Sequence, residues 1–521
     1  MGSVGMKKTA TLLCVPLMAK SAEGMVSGMN QAKAQGADIV EIRLDCIDNF
    51  HPQKDLEIIL KDKLLTTLIV FRPKWNGGFY EGDEHSRIEA LQMAKDLGAD
   101  YVEFELKVVA SKFMEEQRNS PSRGTKNIVS FYVNGETPSE QELKHIISSM
   151  QETRADIIKL VTNAADITEL PRIFNLFSIF QVPLIAYSSG ERGLISQILS
   201  PKYGGFLVYG SIDGDSIPGL PTLASLIEVY KVDCINKDTK VFGLISKPVG
   251  HSKGPILHNP VIRHVNFNGV YVPMFVDDLQ KFFSVYPSPD FPGFSVGIPY
   301  KEAVIEFCGE VNQLAQAIDA ANTIIRRPSD GMLIGYNTDC EAAITAIEDA
   351  LIRAHRCTNG KTSLNSPLKD KLFVLVGAGG AGRALAFGAK SRGAHVVVFD
   401  IDFDREKSLA CAVSGEVRNF KELAKFQPEK GAILANATPL GMHPSTARIP
   451  VSEASLADYE LVFDSVYTPK NTRLLKEAET AGAIIVSGVE MFLRQAIGQF
   501  NLFTERQAPE ELMREIILDK F

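Results

Sequence analysis

Two polar residues stand where a proton can be handled. In SVGIPYKE, Lys301 follows a short apolar run; in GYNTDCEAA, Asp339 sits where such a run gives way to a helical pattern. Strand ends and helix starts open onto the pockets of α/β folds. A lysine held by a carboxylate can exchange a proton with a substrate oxygen, the carboxylate orienting and tuning the amine. Taking a hydroxyl proton is the step that accompanies hydride loss from an alcohol. Read singly, each has a plainer meaning, a solvated lysine and a helix cap.

A hydride needs an acceptor, and VLVGAGGAGRALA offers a place for one. Gly377, Gly379 and Gly382 have GxGxxG spacing between an apolar strand and a helix, the context a dinucleotide turn requires. Gly377 permits the turn, Gly379 lets a pyrophosphate reach the backbone, and Gly382 lets helix and strand pack. The helix start, Ala378, Gly380 and Ala381 through Arg383, supplies free N–H groups and positive potential. In VVVFDID, Asp400 lies about 20 residues beyond the glycines, where a carboxylate accepts from ribose hydroxyls and repels a 2′-phosphate. This predicts NAD rather than NADP; Arg405 nearby would soften the preference, and Asp400 could instead cap the turn. A third stretch, HSKGPILHN at 251–259, joins Ser252, a lysine and histidines around Gly254, which adds no side chain.

The elements that must position these groups fall into two sets. Residues 9–211 alternate eight β-like runs with helix-length segments: TLLCVPLMA, ADIVEIRLD, LLTTLIVFRP, DYVEFEL, NIVSFYV, ADIIKLV, VPLIAYS and FLVYGS. Eight such units predict a (β/α)8 barrel, with a doubly wound sheet as the alternative. LASLIEVYKV reads as a helix and CINKDTK as a linker. From VFGLIS onward a second α/β pattern begins, and 357–371 reads as a polar loop. The boundaries are a barrel over 7–232, a substrate domain over 240–345 completed by helices over 489–521, and a dinucleotide domain over 346–488.

Composition narrows the classes. The chain has 521 residues, 45% of them hydrophobic and 23% charged, with a formal net charge of -8. That suits a soluble, multi-domain protein acting on small molecules, and argues against nucleic-acid or anionic-membrane partners. No apolar run reaches the ~18 residues of a membrane span. The 7 cysteines are odd in number and scattered, which suits reduced thiols inside a cell and no zinc site. TLLCVPLMA reads as a first strand rather than a signal peptide, and no transit segment is evident. A monomer is expected.

HSKGPILHN, GFSVGIPYKE, AANTI, GYNTDC, GAGGAGRA, NATPLGM, FDSVYTP and GVEMFLRQA occur in this order. Together they closely resemble shikimate dehydrogenase over residues 240–521. The first half resembles type I 3-dehydroquinate dehydratase, and the whole chain the fused dehydratase–dehydrogenase of plants, whose members are often plastidial. The resemblance implies that Lys301 and Asp339 are the catalytic pair. Ser252, Asn322, Thr338, Tyr467, Gln495 and Gln499 would line the substrate pocket. Besides the glycine turn and Asp400, Thr438, Met442, Gly488 and Met491 would face the dinucleotide. NADP-using members carry an Asn-Arg-Thr type segment where this chain has Asp400-Ile401-Asp402, which again favours NAD.

Shikimate-specific members read Ser-Lys-Ser in the first motif and a Thr before Ile-Pro in the second, two hydroxyls that hold the substrate carboxylate. Here those positions are Gly254 and Gly297. Shikimate would lose two hydrogen bonds, each worth roughly 1.5–3 kcal/mol to a charged group. Quinate, with a tetrahedral carbon and an extra hydroxyl, needs the room. The expectation is oxidation of quinate to 3-dehydroquinate with NAD.

In the first half, ADIIKLV supplies Lys159 as the Schiff-base lysine the resemblance implies, and burial among apolar neighbours would lower its pKa. Glu41, Arg43, Arg72, Glu105 and Ser216 match further family positions. The proton-shuttling His is absent, replaced by Tyr132. Gln197 stands for an Arg, Leu220 for a Gln and Asn76 for a Glu. Little or no dehydratase activity is expected. The alternatives are a bifunctional enzyme using NADP and shikimate, and a non-catalytic metabolite sensor.

Overall fold

The computed structural model of the chain describes residues 11–110, 124–180, 182–214, 219–250, 252–359 and 365–520. Contacts divide it into two units, residues 1–240 with 268–286, and 241–267 with 287–521.

In the first unit eight parallel strands run in the order β7-β6-β5-β4-β3-β2-β1-β8. They are β1 Leu12–Leu17, β2 Ile39–Arg43, β3 Thr66–Val70, β4 Tyr101–Glu105, β5 Lys126–Tyr132, β6 Ile157–Asn163, β7 Leu184–Ser189 and β8 Leu207–Tyr209. Phe206 N–H donates to Leu184 O at 2.9 Å, bringing the last strand back to β7. The eight runs read from the sequence are these strands. Alternation sorts their side chains: Ile39, Leu68, Ile128, Ile157, Ile185 and Leu207 fill one inner core. Two residues further along their strands, the same parity carries Glu41, Ser130, Lys159, Tyr187 and Tyr209 inward. The expected helix after the barrel is a π-helix, Ser225–Tyr230, ended by Lys231 at φ 49°.

The second unit holds β9 Lys240–Ser246, β11 Gly293–Val296, β12 Glu310–Val311, β13 Thr323–Arg326 and β14 Leu333–Tyr336, side by side as β9-β11-β13-β14-β12; β10, Gly269–Phe275, groups with the first unit. A separate parallel sheet follows, with β15 Leu372–Val376, β16 His395–Phe399, β17 Glu416–Val417, β18 Ala432–Asn436, β19 Tyr459–Asp464 and β20 Ile484–Ser487. Its order is β17-β16-β15-β18-β19-β20. The strand order thus reverses between β15 and β18, which lie side by side and parallel, the switch point where open α/β sheets bind ligands. Helices Asp339–Asn359, Gly380–Ser391 and Gly488–Thr504 pack Ile347, Leu385 and Met491 with Leu375 and Phe463 in one core. Helix Asp339–Asn359 takes the first residues of the expected polar loop; 360–364 lie outside the described residues. No described helix is long and apolar enough to cross a membrane.

Candidate active sites

Lys301 and Asp339 meet. Lys301 Nζ lies 2.6 Å from Asp339 Oδ2, with the lysine side chain 20% and the aspartate side chain 4% exposed. Asp339 opens its helix, and Asn337 Oδ1 caps that end by accepting the N–H groups of Asp339 and Cys340, each at 3.1 Å. The helix N-terminus favours the carboxylate charge. Lys301 is fixed from behind, since Ala321 N–H donates to its carbonyl at 2.7 Å.

Beside this pair a polar cluster forms. Asn322 Nδ2 donates to Thr338 Oγ1 at 2.8 Å and to Gln495 Oε1 at 3.4 Å, while Thr338 N–H donates to Asn322 Oδ1 at 2.8 Å. Gln499 is fully engaged with protein: its amide donates to Asn322 O and Thr323 Oγ1, and its oxygen accepts from Ser295. It therefore holds the Asn322 backbone rather than presenting a free amide. Tyr467 stacks on Phe492 at 4.8 Å. Ser252 Oγ accepts Gly254 N–H at 3.1 Å, and Gly254 is the first residue of helix Gly254–His264.

The glycine turn ends β15 at the switch point. Gly377 has φ 105°, and a Cβ there would meet Ala437 backbone at 2.9 Å; one on Gly382 would lie 1.9 Å from Gly377 O. Both positions require glycine. Around Gly379 nothing lies within 4 Å of the Cβ position, so the turn leaves open space where a pyrophosphate would approach. The residues therefore fit a dinucleotide. A Cβ on Gly380 would lie 2.8 Å from Lys301 Cβ, which sets the turn directly against the stem of the candidate catalytic lysine. Asp400 Oδ2 accepts Ala378 N–H at 2.5 Å and Oδ1 accepts Asp402 N–H at 2.8 Å. Its carboxylate thus braces the turn. Across the switch point, Ala437 N–H donates to Val376 O at 2.7 Å and Thr438 Oγ1 donates to Asn436 Oδ1 at 2.7 Å; Met442 is half-buried nearby in sequence.

The barrel interior gathers a second charged cluster. Lys159 Nζ sits 2.9 Å from Glu103 Oε2 and 3.0 Å from Glu41 Oε2. Tyr209 OH donates to Glu41 Oε2 at 2.7 Å. Arg72 donates to the Tyr132 hydroxyl and stacks on its ring at 4.2 Å. Burial alone would raise Glu41, but Lys159, Arg72 and Arg43 hold it down at about 2. Burial alone would lower Lys159, yet Glu103 and Glu41 outweigh it and hold the ammonium well above its ordinary value. Burial pushes the Tyr132 phenol well up.

Three family models match the chain: type I 3-dehydroquinase over residues 13–237, the shikimate dehydrogenase substrate binding domain over 244–324, and the shikimate 5'-dehydrogenase C-terminal domain over 488–518. The chain is 48% identical over 518 residues, 99% of its length and 86% of the relative's, to the chloroplastic bifunctional 3-dehydroquinate dehydratase/shikimate dehydrogenase of Arabidopsis thaliana. The chain belongs to the fused type I 3-dehydroquinase–shikimate dehydrogenase family. Its second half is also 32% identical to the shikimate dehydrogenase (NADP(+)) of a Bacillus cereus strain, over 54% of this chain and 98% of that one. A solved shikimate dehydrogenase in complex with NADP+ is similar at 32% identity and a TM-score of 0.47, covering 55% of this chain and 97% of that one.

Within this family frame several expectations change. Lys159 is not an amine softened by apolar neighbours, because Glu41, a residue the sequence reading assigned to this site, and Glu103, which it did not name, flank its ammonium. Glu105 does not join it; that carboxylate pairs with Arg87 at 2.7 Å, and Glu103, two residues deeper on the same face, takes the position. Arg43 is held by Asp45 through two hydrogen bonds of 2.9 and 2.6 Å. Gln197 turns to the Tyr209 backbone N–H at 3.1 Å. Ser216 lies outside the described residues. Arg383 is drawn away from the turn, its Nε donating to Ile318 O at 2.7 Å. Arg405 leans to Glu302 at 3.9 Å. Met491 is 6% exposed and packs in the sheet's core. Gly488 opens its helix, and a Cβ there would lie 2.5 Å from Ser465 O, so packing requires a glycine at this position. Gly297 does not border simple empty space: a Cβ there would lie 2.7 Å from Ser246 Oγ. Ser246 escaped the sequence reading because VFGLIS reads only as a strand.

Proposed function

We propose that the dehydrogenase half oxidises quinate to 3-dehydroquinate with NAD, and that the barrel half does not dehydrate the product. The observation that carries the reading is the absence of a side chain at Gly254 and Gly297, where relatives specific for shikimate present hydroxyls to the acid group. A flat acid loses two hydroxyl partners there, and at 297 the place of a side chain is taken by Ser246, whose Oγ lies 2.7 Å from where a Cβ would stand.

A bound dinucleotide would supply, through its nicotinamide, the acceptor for the hydride that leaves the substrate carbon. Gly377, Gly379 and Gly382 would hold its pyrophosphate, and Asp400 would take the ribose hydroxyls and repel a 2′-phosphate. The Lys301 amine in its neutral form takes the hydroxyl proton at Nζ, and Asp339, 2.6 Å away, fixes the direction of that amine and balances the charge of the ammonium that results. Asn322, Thr338 and Gln495 form the polar floor that orients the ring hydroxyls.

The second part rests on Lys159 and Tyr132. Amine attack on a ketone requires a free base, and Lys159 carries its proton between Glu41 and Glu103. A phenol raised by burial does not shuttle protons at neutral pH. Specificity constants for quinate and shikimate, each with NAD and NADP, test the first part. A preference for shikimate with NADP rejects it, and no reduced cofactor with any pair turns the reading toward a sensor. Enone absorbance formed from 3-dehydroquinate at ordinary enzyme concentration rejects the second.

A further inference from the structure

Ser246 ends β9, and Gly297 directly follows β11. The parallel register pairs Ile245 with Val296, so Ser246 and Gly297 are the next neighbours at the strand ends. Gly297 N–H donates to Ile245 O at 2.8 Å, and Lys247 N–H to Ile298 O at 3.0 Å, which locks this spacing. A Cβ on Gly297 would meet Ser246 Oγ at 2.7 Å, Ser246 Cβ at 3.0 Å and Leu244 Cδ1 at 3.5 Å. Ser246 is not free to swing aside. It is 7% exposed, and its hydroxyl donates to Ile298 O at 2.8 Å. Gly297 has no positive φ, so space and not backbone conformation excludes a side chain there. The two positions share one side-chain place, and this chain fills it from β9.

The chemistry of the two occupants differs. A threonine at 297 would bring a hydroxyl whose proton is available to a carboxylate. The proton of Ser246 is already committed to Ile298 O, so its oxygen offers lone pairs only. A carboxylate has no proton to give such a group, whereas an alcohol on the carbon bearing the carboxylate does. We propose that Ser246 is a specificity-determining residue: it excludes a side chain at 297 and accepts the tertiary hydroxyl of a saturated hydroxy acid. This rests on the quinate reading and assigns it a positive contact.

The test is a set of variants read as the ratio of kcat/KM for quinate to that for shikimate, with melting temperature alongside. Ser246→Ala keeps the Cβ and removes the acceptor; the ratio is expected to fall roughly tenfold, as the loss of one hydrogen bond allows. Gly297→Thr alone is expected to melt lower and to lose activity on both acids. Ser246→Gly with Gly297→Thr is expected to recover the melting temperature and carry the ratio toward shikimate. An unmoved ratio in Ser246→Ala, or equal melting temperatures for Gly297→Thr with and without Ser246→Gly, overturns the proposal. A parent enzyme that prefers shikimate would reject the quinate reading, but the variants are judged by their differences from the parent. The two failures are therefore distinguishable.

Discussion

Replacing Asp339 by Asn tests whether the buried pair is catalytic machinery or a structural ion pair. The substitution keeps the shape of the side chain and removes the charge that faces Lys301 Nζ at 2.6 Å. Because Asp339 is 4% and Lys301 20% exposed, solvent screens the contact poorly. A charge-assisted hydrogen bond of this kind contributes about 1.5–3 kcal/mol. At about 1.4 kcal/mol per tenfold in rate, losing it should lower kcat about 10- to 100-fold, with a smaller effect on KM. Lys301→Met removes the proton acceptor itself and should cost about 10²- to 10⁴-fold. The double variant should be no slower than Lys301→Met, because the aspartate acts through the lysine. Initial rates of NADH formation at 340 nm under saturating quinate supply all three numbers. An Asp339→Asn enzyme with parental kcat, or a double variant whose loss is the product of the single losses, would refute the reasoning.

Other outcomes follow from the same geometry. Gly380→Ala should lower kcat at least tenfold and lower the melting temperature, since the added methyl would lie 2.8 Å from Lys301 Cβ, an atom fixed to the backbone, so that the turn or the lysine must shift. Asp400→Ser should raise the specificity constant for NADP relative to NAD by roughly tenfold or more, because the repulsion of a 2′-phosphate is removed; an unchanged ratio in steady-state kinetics would place cofactor choice elsewhere. Borohydride treatment in the presence of 3-dehydroquinate should leave Lys159 unmodified in the intact mass at pH 7, since the adjacent carboxylates keep the amine protonated. Burial pushes the His258 imidazole down to about 3. The unfolded chain then binds the proton first, so this stability is complete above about pH 6.5 and declines as pH falls toward 3, by at most about 1.4 kcal/mol per pH unit. Melting curves from pH 7 to 5 should show the decline, and His258→Leu should flatten it.

The parts legible in the sequence were those where spacing alone fixes geometry. Eight apolar runs with helical spacers define a barrel whichever side chains face inward. The glycine turn is legible because each of its required positions answers to backbone geometry, as Gly377 and Gly382 show. Lys301 and Asp339 come from different elements, and the family motifs rather than any local pattern bring them together. What stayed hidden depends on depth and register. Glu103 and Glu105 share a face in YVEFEL, and only the stagger of neighbouring strands decides which reaches Lys159. Gly297 reads as a vacancy in one dimension; its neighbour across the sheet, Ser246, is 51 residues earlier and invisible to any local window. The inward turn of Arg383 onto Ile318 is likewise a tertiary fact, since a long basic side chain next to a phosphate turn reads locally as a ligand contact.

The most direct measurement is a crystal structure of the enzyme with quinate bound. The acid group is expected over Gly254 and Gly297, with the tertiary hydroxyl directed at Ser246 Oγ and the oxidised hydroxyl at Lys301 Nζ. An acid group held at a different wall, remote from both glycines, would contradict it.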